Sequence, residues 1–123
     1  MQVVVGNHIK INAPSALRAR LREFYVEVLG CHTIAAPSPQ FDLFEFTDGF
    51  VVGLFYGDDS EVLSEQDQLK ATWLELKTSD PPSLRIRLLE FDVGPIEYAD
   101  TSRFYFQAPG GQVWRVAPLD GGS

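Results

Sequence analysis

The sequence predicts an α+β fold in which one βαβββ module occurs twice within a single domain, residues 1–123. Two observations carry this prediction. The order of helix-like and strand-like segments is the same in both halves of the chain, and proline or glycine residues separate the segments at matching places. This repetition predicts a curved, eight-stranded mixed sheet whose two halves share a cavity.

The helix of the first module, which covers about residues 3–57, is predicted over 16–29. Its apolar residues recur at helical spacing and form one stripe: Leu17, Leu21, Phe24, Tyr25, Val28 and Leu29. The charged residues take the other side, which is expected to face solvent: Arg18, Arg20, Arg22, Glu23 and Glu27. Asn12 or Ser15 is expected to cap the helix, and Gly30 is placed to end it.

Four strands complete the first module, predicted at 3–12, 31–36, 41–46 and 50–56. In the first of them, the expected core positions are Val4, Ile9 and Ile11. The turn Thr47-Asp48-Gly49 joins the last two strands, because Asp-Gly favours a tight hairpin.

A polar, acidic linker is predicted over about 58–69, followed by the second module over about 70–118. Its strands are expected at 71–78, 95–98, 103–107 and 112–118. A helix is predicted over 83–91, where Ser79-Asp80-Pro81-Pro82 is typical of a helix start. Its apolar face is expected to consist of Leu84, Leu88 and Leu89.

Composition narrows the possible environments and partners. The formal net charge of −7 argues against nucleic-acid binding, which needs surplus Lys and Arg. That charge either favours a cationic ligand or only keeps the protein soluble. Cys31 is the sole cysteine, so an internal disulfide is excluded and a reducing compartment is indicated. No stretch is long enough for a membrane span or a signal sequence, and we therefore expect a cytoplasmic protein.

Three segments together resemble a known superfamily. They are His8-Ile-Lys-Ile, the helix ending Phe24-Tyr-Val-Glu-Val-Leu-Gly30, and Phe104-Tyr-Phe-Gln-Ala-Pro-Gly-Gly-Gln112. In the order and spacing of these segments, the chain is similar to the glyoxalase / bleomycin-resistance / extradiol-dioxygenase superfamily, which has the vicinal-oxygen-chelate fold. The resemblance covers about residues 4–118. One departure is Ala108, where the superfamily's turn carries Asp.

The resemblance implies four positions for ligands of a divalent metal, and they fall on His8, Gly53, Trp73 and Arg115. Only the first is a competent ligand, whereas a catalytic metal site needs about three protein ligands. We therefore predict no metal, no cofactor and no catalytic residues.

Strand alternation predicts which side chains line the cavity instead. If His8 faces inward, then Lys10 does too, because every second side chain of a strand lies on the same face. The same alternation is applied to the other strands. Arg115 is expected either to pair with Glu75 or to contact a ligand. Which face of the strand 41–46 lines the cavity is left open. The predicted ligand-binding residues are Trp73, Arg115, His8, Phe55, Tyr105, Glu75, Phe44, Tyr98 and Gly53.

The strand that contains Trp73, Ala71-Thr-Trp-Leu-Glu-Leu76, is similar to a strand of bleomycin-resistance proteins. Those metal-free relatives sequester an antibiotic in grooves at a dimer interface, often with exchanged strands. The resemblance thus implies non-catalytic sequestration of a bulky aromatic or peptidic natural-product antibiotic by a homodimer, in which strands are exchanged or not. Two alternatives stay open: a lyase/isomerase or dioxygenase-like enzyme of the same superfamily, and a regulatory module without a ligand.

Overall fold

The computed structural model describes residues 1–120, and they form two compact units. The first unit is Met1–Val62, and the second begins at Leu63. This boundary lies inside the segment that the sequence analysis identifies as a linker, so each unit corresponds to one predicted module.

The main elements of the first unit are a helical segment that follows the first strand and a four-stranded sheet. The strands are β1 His8–Pro14, β2 His32–Ile34, β3 Phe41–Glu45 and β4 Val51–Gly57. They lie in the order β1-β4-β3-β2, with β1 parallel to β4 and the other pairs antiparallel. The helical segment starts with a 3-10 turn (Ser15–Leu17), continues as α1 (Arg18–Glu23) and ends in a π-helical turn (Phe24–Val28).

Four of the six residues in the predicted apolar stripe of the first helical segment are buried, and the two at its ends, Leu17 and Leu29, are partly buried. Phe24 and Tyr25 are almost inaccessible to solvent, and Tyr25 stacks on Phe44 of β3 at 5.2 Å between ring centroids. Gly30 follows the segment with a φ of +76°, which confirms its predicted role in ending the helix. The predicted cap is wrong, because Pro14 is at the N-cap position and the side-chain amide of Asn12 donates to the carbonyl of Glu61 instead.

The predicted start of the first strand is also wrong. Val4 is 75% exposed and lies outside any strand. The register explains this, because His8 pairs with Val51, the first residue of β4. The carbonyl of Asn7 still accepts from the N–H of Val51 at 2.9 Å, but the residues before Asn7 have no partner in that ladder. Their β-branched side chains alone do not create a strand.

The charged side of the first helix is not simply solvated, which corrects a third expectation. Arg18 and Arg22 both reach Asp42, a carboxylate of β3 that is only 6% exposed. The hydroxyl of Tyr56 on β4 donates to the same carboxylate at 2.8 Å. Helix and sheet of the first unit are thus joined by a polar network in addition to the apolar core.

The second unit repeats the topology of the first. Its strands are β5 Leu74–Thr78, β6 Pro95–Ile96, β7 Phe104–Gln107 and β8 Val113–Pro118. They lie in the order β5-β8-β7-β6, again with the first pair parallel and the others antiparallel. The predicted pair of βαβββ modules is confirmed, with the eight strands hydrogen-bonded as two sheets of four.

The longer helix of the second unit, α3, covers Pro81–Glu90. Asp80 caps it by accepting from the backbone N–H of Ser83 at 3.1 Å, which agrees with the predicted helix start. Leu84 and Leu88 are buried, but Leu89 is 52% exposed, contrary to expectation. Five residues correspond to about 500° of rotation, so Leu89 points about 140° away from Leu84.

The predicted linker contains two short helical segments that the sequence analysis missed. A 3-10 turn covers Asp59–Glu61, and α2 covers Glu65–Gln68. Both have capping signals: Asp58 and Glu61 form a capping box, and the hydroxyl of Ser64 accepts from the N–H of Asp67. Two of the acidic residues in this segment, Asp58 and Glu61, therefore serve to cap a helix.

We expect Asp92→Gly to raise the free energy of unfolding by about 0.5–1 kcal/mol. Asp92 follows α3 with a φ of +63°, a conformation that costs a residue with a Cβ atom more than it costs glycine. Chemical denaturation measures the change. As a control, Glu90→Gly inside α3 should destabilise by about 1 kcal/mol. An equal loss in both variants would contradict the prediction.

Within residues 1–120, no helix has the length and apolar character required to cross a bilayer.

Candidate functional site

Three aromatic side chains of the second unit form one group, which we call the aromatic cluster: Trp73, Tyr98 and Tyr105. Their ring centroids are 4.9–5.5 Å apart, and the rings are tilted or edge-on to one another. This is the usual geometry of favourable aromatic pairs. Tyr105 is 5% exposed, whereas Tyr98 is 52% exposed, so the cluster presents an open aromatic surface on a buried base. Strand alternation correctly placed Trp73 and Tyr105 together.

A second group, which we call the ion-pair network, adjoins the aromatic cluster: Glu75, Asp100 and Arg115. Arg115 on β8 pairs with Glu75, its register partner on β5, and with Asp100 at 3.4 Å. Its Nε also donates to the hydroxyl of Tyr105 at 3.2 Å. The hydrogen bond to Tyr105, followed by the contact with Glu75, raises the pKa of Arg115. Arg115 is therefore a permanent cation already paired inside the second unit.

Asp100 is the functional candidate that the sequence analysis missed. Its carboxylate accepts from the hydroxyl of Tyr105 at 3.1 Å and from the backbone N–H of Ser102 at 3.0 Å. The bonds from Ser102, followed by those from Tyr105 and Arg115, lower the pKa of Asp100 to about 2. The available signal was Asp100-Thr-Ser102, a sequence typical of an Asx turn, just before the strand that contains the predicted ligand-binding residue Tyr105.

In the first unit, His8, Gly53 and Leu43 lie on one face of the sheet. A Cβ atom at Gly53 would be 3.0 Å from the Leu43 Cδ2 atom and 3.4 Å from the His8 Nε2 atom. Gly53 is one of the predicted ligand-binding residues. The space that its Cβ atom would occupy is bordered by Leu43 and His8, so glycine at this position allows both side chains to lie close to β4.

The same face carries Phe41, Phe55 and Lys10. The two phenyl rings are 5.1 Å apart, and the Lys10 ammonium lies 4.9 Å from the centre of the Phe55 ring. Lys10 thus faces the same way as Phe55, as alternation predicted. Phe44 was predicted as a ligand-binding residue, and this is wrong, because it is completely buried against Tyr25. The register pairs Phe41 with Phe55, which decides the face that the sequence left open.

The side chains at the four positions where the resemblance implies a metal do not fit one. Gly53 offers no donor atom, and the Trp73 indole N–H donates to the carbonyl of Leu69 at 3.0 Å. Arg115 places a paired cation at the fourth position. Across residues 1–120, no group of three His, Cys, Asp or Glu side chains is arranged to hold a metal ion.

Of the nine predicted site residues, the structure brings five together in the second unit and three in the first. The first set is Trp73, Glu75, Tyr98, Tyr105 and Arg115. The second set is His8, Gly53 and Phe55, which share one face of the sheet. Phe44 belongs to neither.

Solved structures with the same fold extend over nearly the whole chain. One is a member of the glyoxalase/bleomycin resistance protein/dioxygenase superfamily from Sphaerobacter thermophilus (TM-score 0.65, 16% identity, 94% of this chain and 98% of that one). Another is TnmS3, an antibiotic-binding protein from Streptomyces sp. CB03234 (TM-score 0.64, 18% identity, 96% and 98%). A third is the trypanothione-dependent glyoxalase I of Leishmania major (TM-score 0.65, 20% identity, 94% and 87%).

No protein-family model matches the sequence, and no curated protein matches it significantly. At 16–20% identity the structural likeness establishes the fold and leaves activity open.

Proposed function

We propose that this chain, which has the vicinal-oxygen-chelate fold of the glyoxalase/bleomycin-resistance/dioxygenase superfamily, binds and sequesters a bulky, positively charged aromatic antibiotic without transforming it. The observation that carries the proposal is the aromatic cluster beside the ion-pair network. An antibiotic-binding protein of the same fold, TnmS3, adds support from outside the chain.

The aromatic cluster supports an aromatic ligand because its outermost ring is half exposed while its base is fixed. Tyr105 is buried and hydrogen-bonded to Asp100 and Arg115, so the base of the cluster does not need to reorganise when a ligand arrives. The exposed face of Tyr98 is available for stacking, which contributes about 0.5–1.5 kcal/mol for each aromatic pair beyond the area it buries.

The ion-pair network supports a cationic ligand. It has two carboxylates, Glu75 and Asp100, against the single guanidinium of Arg115, which gives it a net charge of −1. The low pKa of Asp100 keeps this carboxylate ionised at physiological pH. An ammonium group beside Tyr98 would gain from both the carboxylate and the ring face, and the chain's net charge of −7 would favour its approach.

Binding is proposed in preference to metal-dependent catalysis because the side chains at the four metal positions do not fit a metal. The homodimer, with or without exchanged strands, and the cytoplasmic location stay predictions of the sequence analysis.

The test is a titration of tryptophan fluorescence with aromatic antibiotics whose charge is altered chemically. We expect daunorubicin, a planar anthraquinone that carries an ammonium group, to quench the fluorescence with saturation. Its neutral N-acetyl derivative should bind about threefold to tenfold more weakly at low salt, since one exposed charge contributes modestly. Raising the ionic strength should reduce the difference between the two.

Other cationic aromatic antibiotics, each paired with a neutral derivative, extend the test beyond one scaffold. The proposal fails if no pair gives saturable quenching, or if the neutral partners bind as tightly as the charged ones. Recovery of a chemically altered compound after incubation would refute sequestration and favour an enzyme.

A further inference from the structure

Three glutamine side chains attach the segment before β5 to the turn between β7 and β8, all within the second unit. We call them the glutamine cluster: Gln68, Gln107 and Gln112. Each amide Nε2 donates to two backbone carbonyls. Gln68 donates to Leu63 at 2.9 Å and to Gly110 at 2.7 Å. Gln107 donates to Glu65 at 2.7 Å and Gly111 at 3.0 Å, and Gln112 donates to Thr72 at 2.9 Å and Val113 at 3.0 Å.

Gln68 is the central member, since it is 8% exposed and the turn is shaped around it. Gly111 has a φ of +119°, and a Cβ atom at that position would lie 2.4 Å from the Gln68 Nε2 atom. Glycine therefore serves two needs at this point: the backbone conformation and the close approach of the amide. A buried amide with both donor bonds satisfied defines one arrangement of the segment.

The glutamine cluster leads directly to Trp73. Leu69 follows Gln68, and its carbonyl accepts from the Trp73 indole N–H at 3.0 Å. Thr72 precedes Trp73, and its carbonyl accepts from Gln112. Trp73 is thus held in two places. Its indole nitrogen is bonded to the carbonyl of Leu69, and its backbone is held next to Thr72, whose carbonyl is bonded to Gln112.

We propose that the glutamine cluster positions the indole of Trp73, and that Gln68 is a positioning residue for the ligand-binding surface. The statement about affinity rests on the proposed function, whereas the statement about the indole does not. A ring that is already ordered loses little conformational entropy when a ligand stacks on the cluster. Freeing that ring should weaken binding by about threefold to tenfold, with the ligand's own contacts unchanged.

The test uses Gln68→Met, which keeps the side-chain length and removes both donor bonds. In the full chain, NMR resolves the two indole N–H resonances, and Trp73→Phe assigns them. We expect solvent exchange of the Trp73 indole N–H to accelerate by about tenfold or more in Gln68→Met, because the accepting carbonyl is no longer held. The Trp114 resonance should stay unchanged. Daunorubicin affinity should fall by about threefold to tenfold.

Gln66→Met is the matched control, because Gln66 is an exposed residue of the same short helix. This substitution should leave the exchange rate of the Trp73 indole N–H and the affinity for daunorubicin at their wild-type values. If Gln68→Met does not fold, Gln107→Met is tested in its place. This substitution removes the hydrogen bonds from Gln107 to the carbonyls of Glu65 and Gly111.

Wild-type exchange of the Trp73 indole N–H in folded Gln68→Met or Gln107→Met would overturn the positioning role. Faster exchange in a protein whose wild-type form binds no probe would support the positioning role and reject only the proposed function. Faster exchange with unchanged affinity would overturn the claim that an ordered indole contributes to binding.

Discussion

Asp42→Asn is expected to lower the free energy of unfolding by about 2–4 kcal/mol, an effect large enough to threaten folding at physiological temperature. The carboxylate is bound by Arg22 at 2.8 and 3.1 Å, by Arg18 at 3.2 Å and by Tyr56 at 2.8 Å. An asparagine of the same shape leaves two guanidinium groups without their counterion. The loss stays below that of a fully buried pair because Arg22 is half exposed.

The same residue predicts how stability depends on pH. Burial opposes ionisation of Asp42, but hydrogen bonds from Arg22, Tyr56 and Arg18 outweigh it and hold the pKa below its ordinary value of 3.8. The ionised carboxylate therefore stabilises the folded chain above about pH 4. This contribution is lost as the pH falls through the lower, folded-state pKa.

Urea unfolding followed by far-UV circular dichroism, repeated between about pH 2 and 7, measures both effects. Asp59→Asn is the matched control, since Asp59 is an exposed carboxylate of the same unit. It should change stability by less than about 0.5 kcal/mol. If Asp42→Asn lies within that margin as well, or keeps the full acid dependence of the wild type, the network does not stabilise the first unit.

Trp73→Ala is expected to weaken binding of the cationic antibiotic by about 30-fold or more, while the fold stays intact. The indole contacts both tyrosines of the aromatic cluster, so its removal exposes Tyr105 and frees Tyr98. Trp73 itself is only partly buried and precedes β5, so no strand hydrogen bond depends on its side chain.

Isothermal titration calorimetry is the suitable measurement here, because the substitution removes a tryptophan that would report by fluorescence. Trp114→Phe is the control. Trp114 is the register partner of Leu74 and lies in the core, on the opposite face of the sheet from Arg115. The Trp114→Phe substitution should reduce stability and leave the affinity for the antibiotic unchanged. Wild-type affinity in Trp73→Ala would place the binding surface elsewhere.

Much of the fold follows from local patterns. The stripe from Leu17 to Leu29 predicted a buried helical face, which the structure shows from Leu21 to Val28, and Gly30 predicted the end of the helix. The two short helices capped by Asp58 and Ser64 were missed, because helices of three or four residues are too short to produce a periodic pattern of apolar residues. Val4 shows the opposite case, in which a β-branched run lacks a pairing partner and stays outside the sheet.

By itself, the sequence determined the repeated module and the shared face of Trp73, Tyr105 and Arg115, because side chains alternate along a strand with a fixed period of two. Only the tertiary structure decided that Phe41 and not Phe44 faces the same way as Phe55, that Asp42 meets two arginines, and that Asp100 joins Arg115. Each of these depends on register or on a loop path between residues distant in the chain. A local pattern fixes the alternation of side chains along one strand, but the face on which each of them lies is set by the strand beside it.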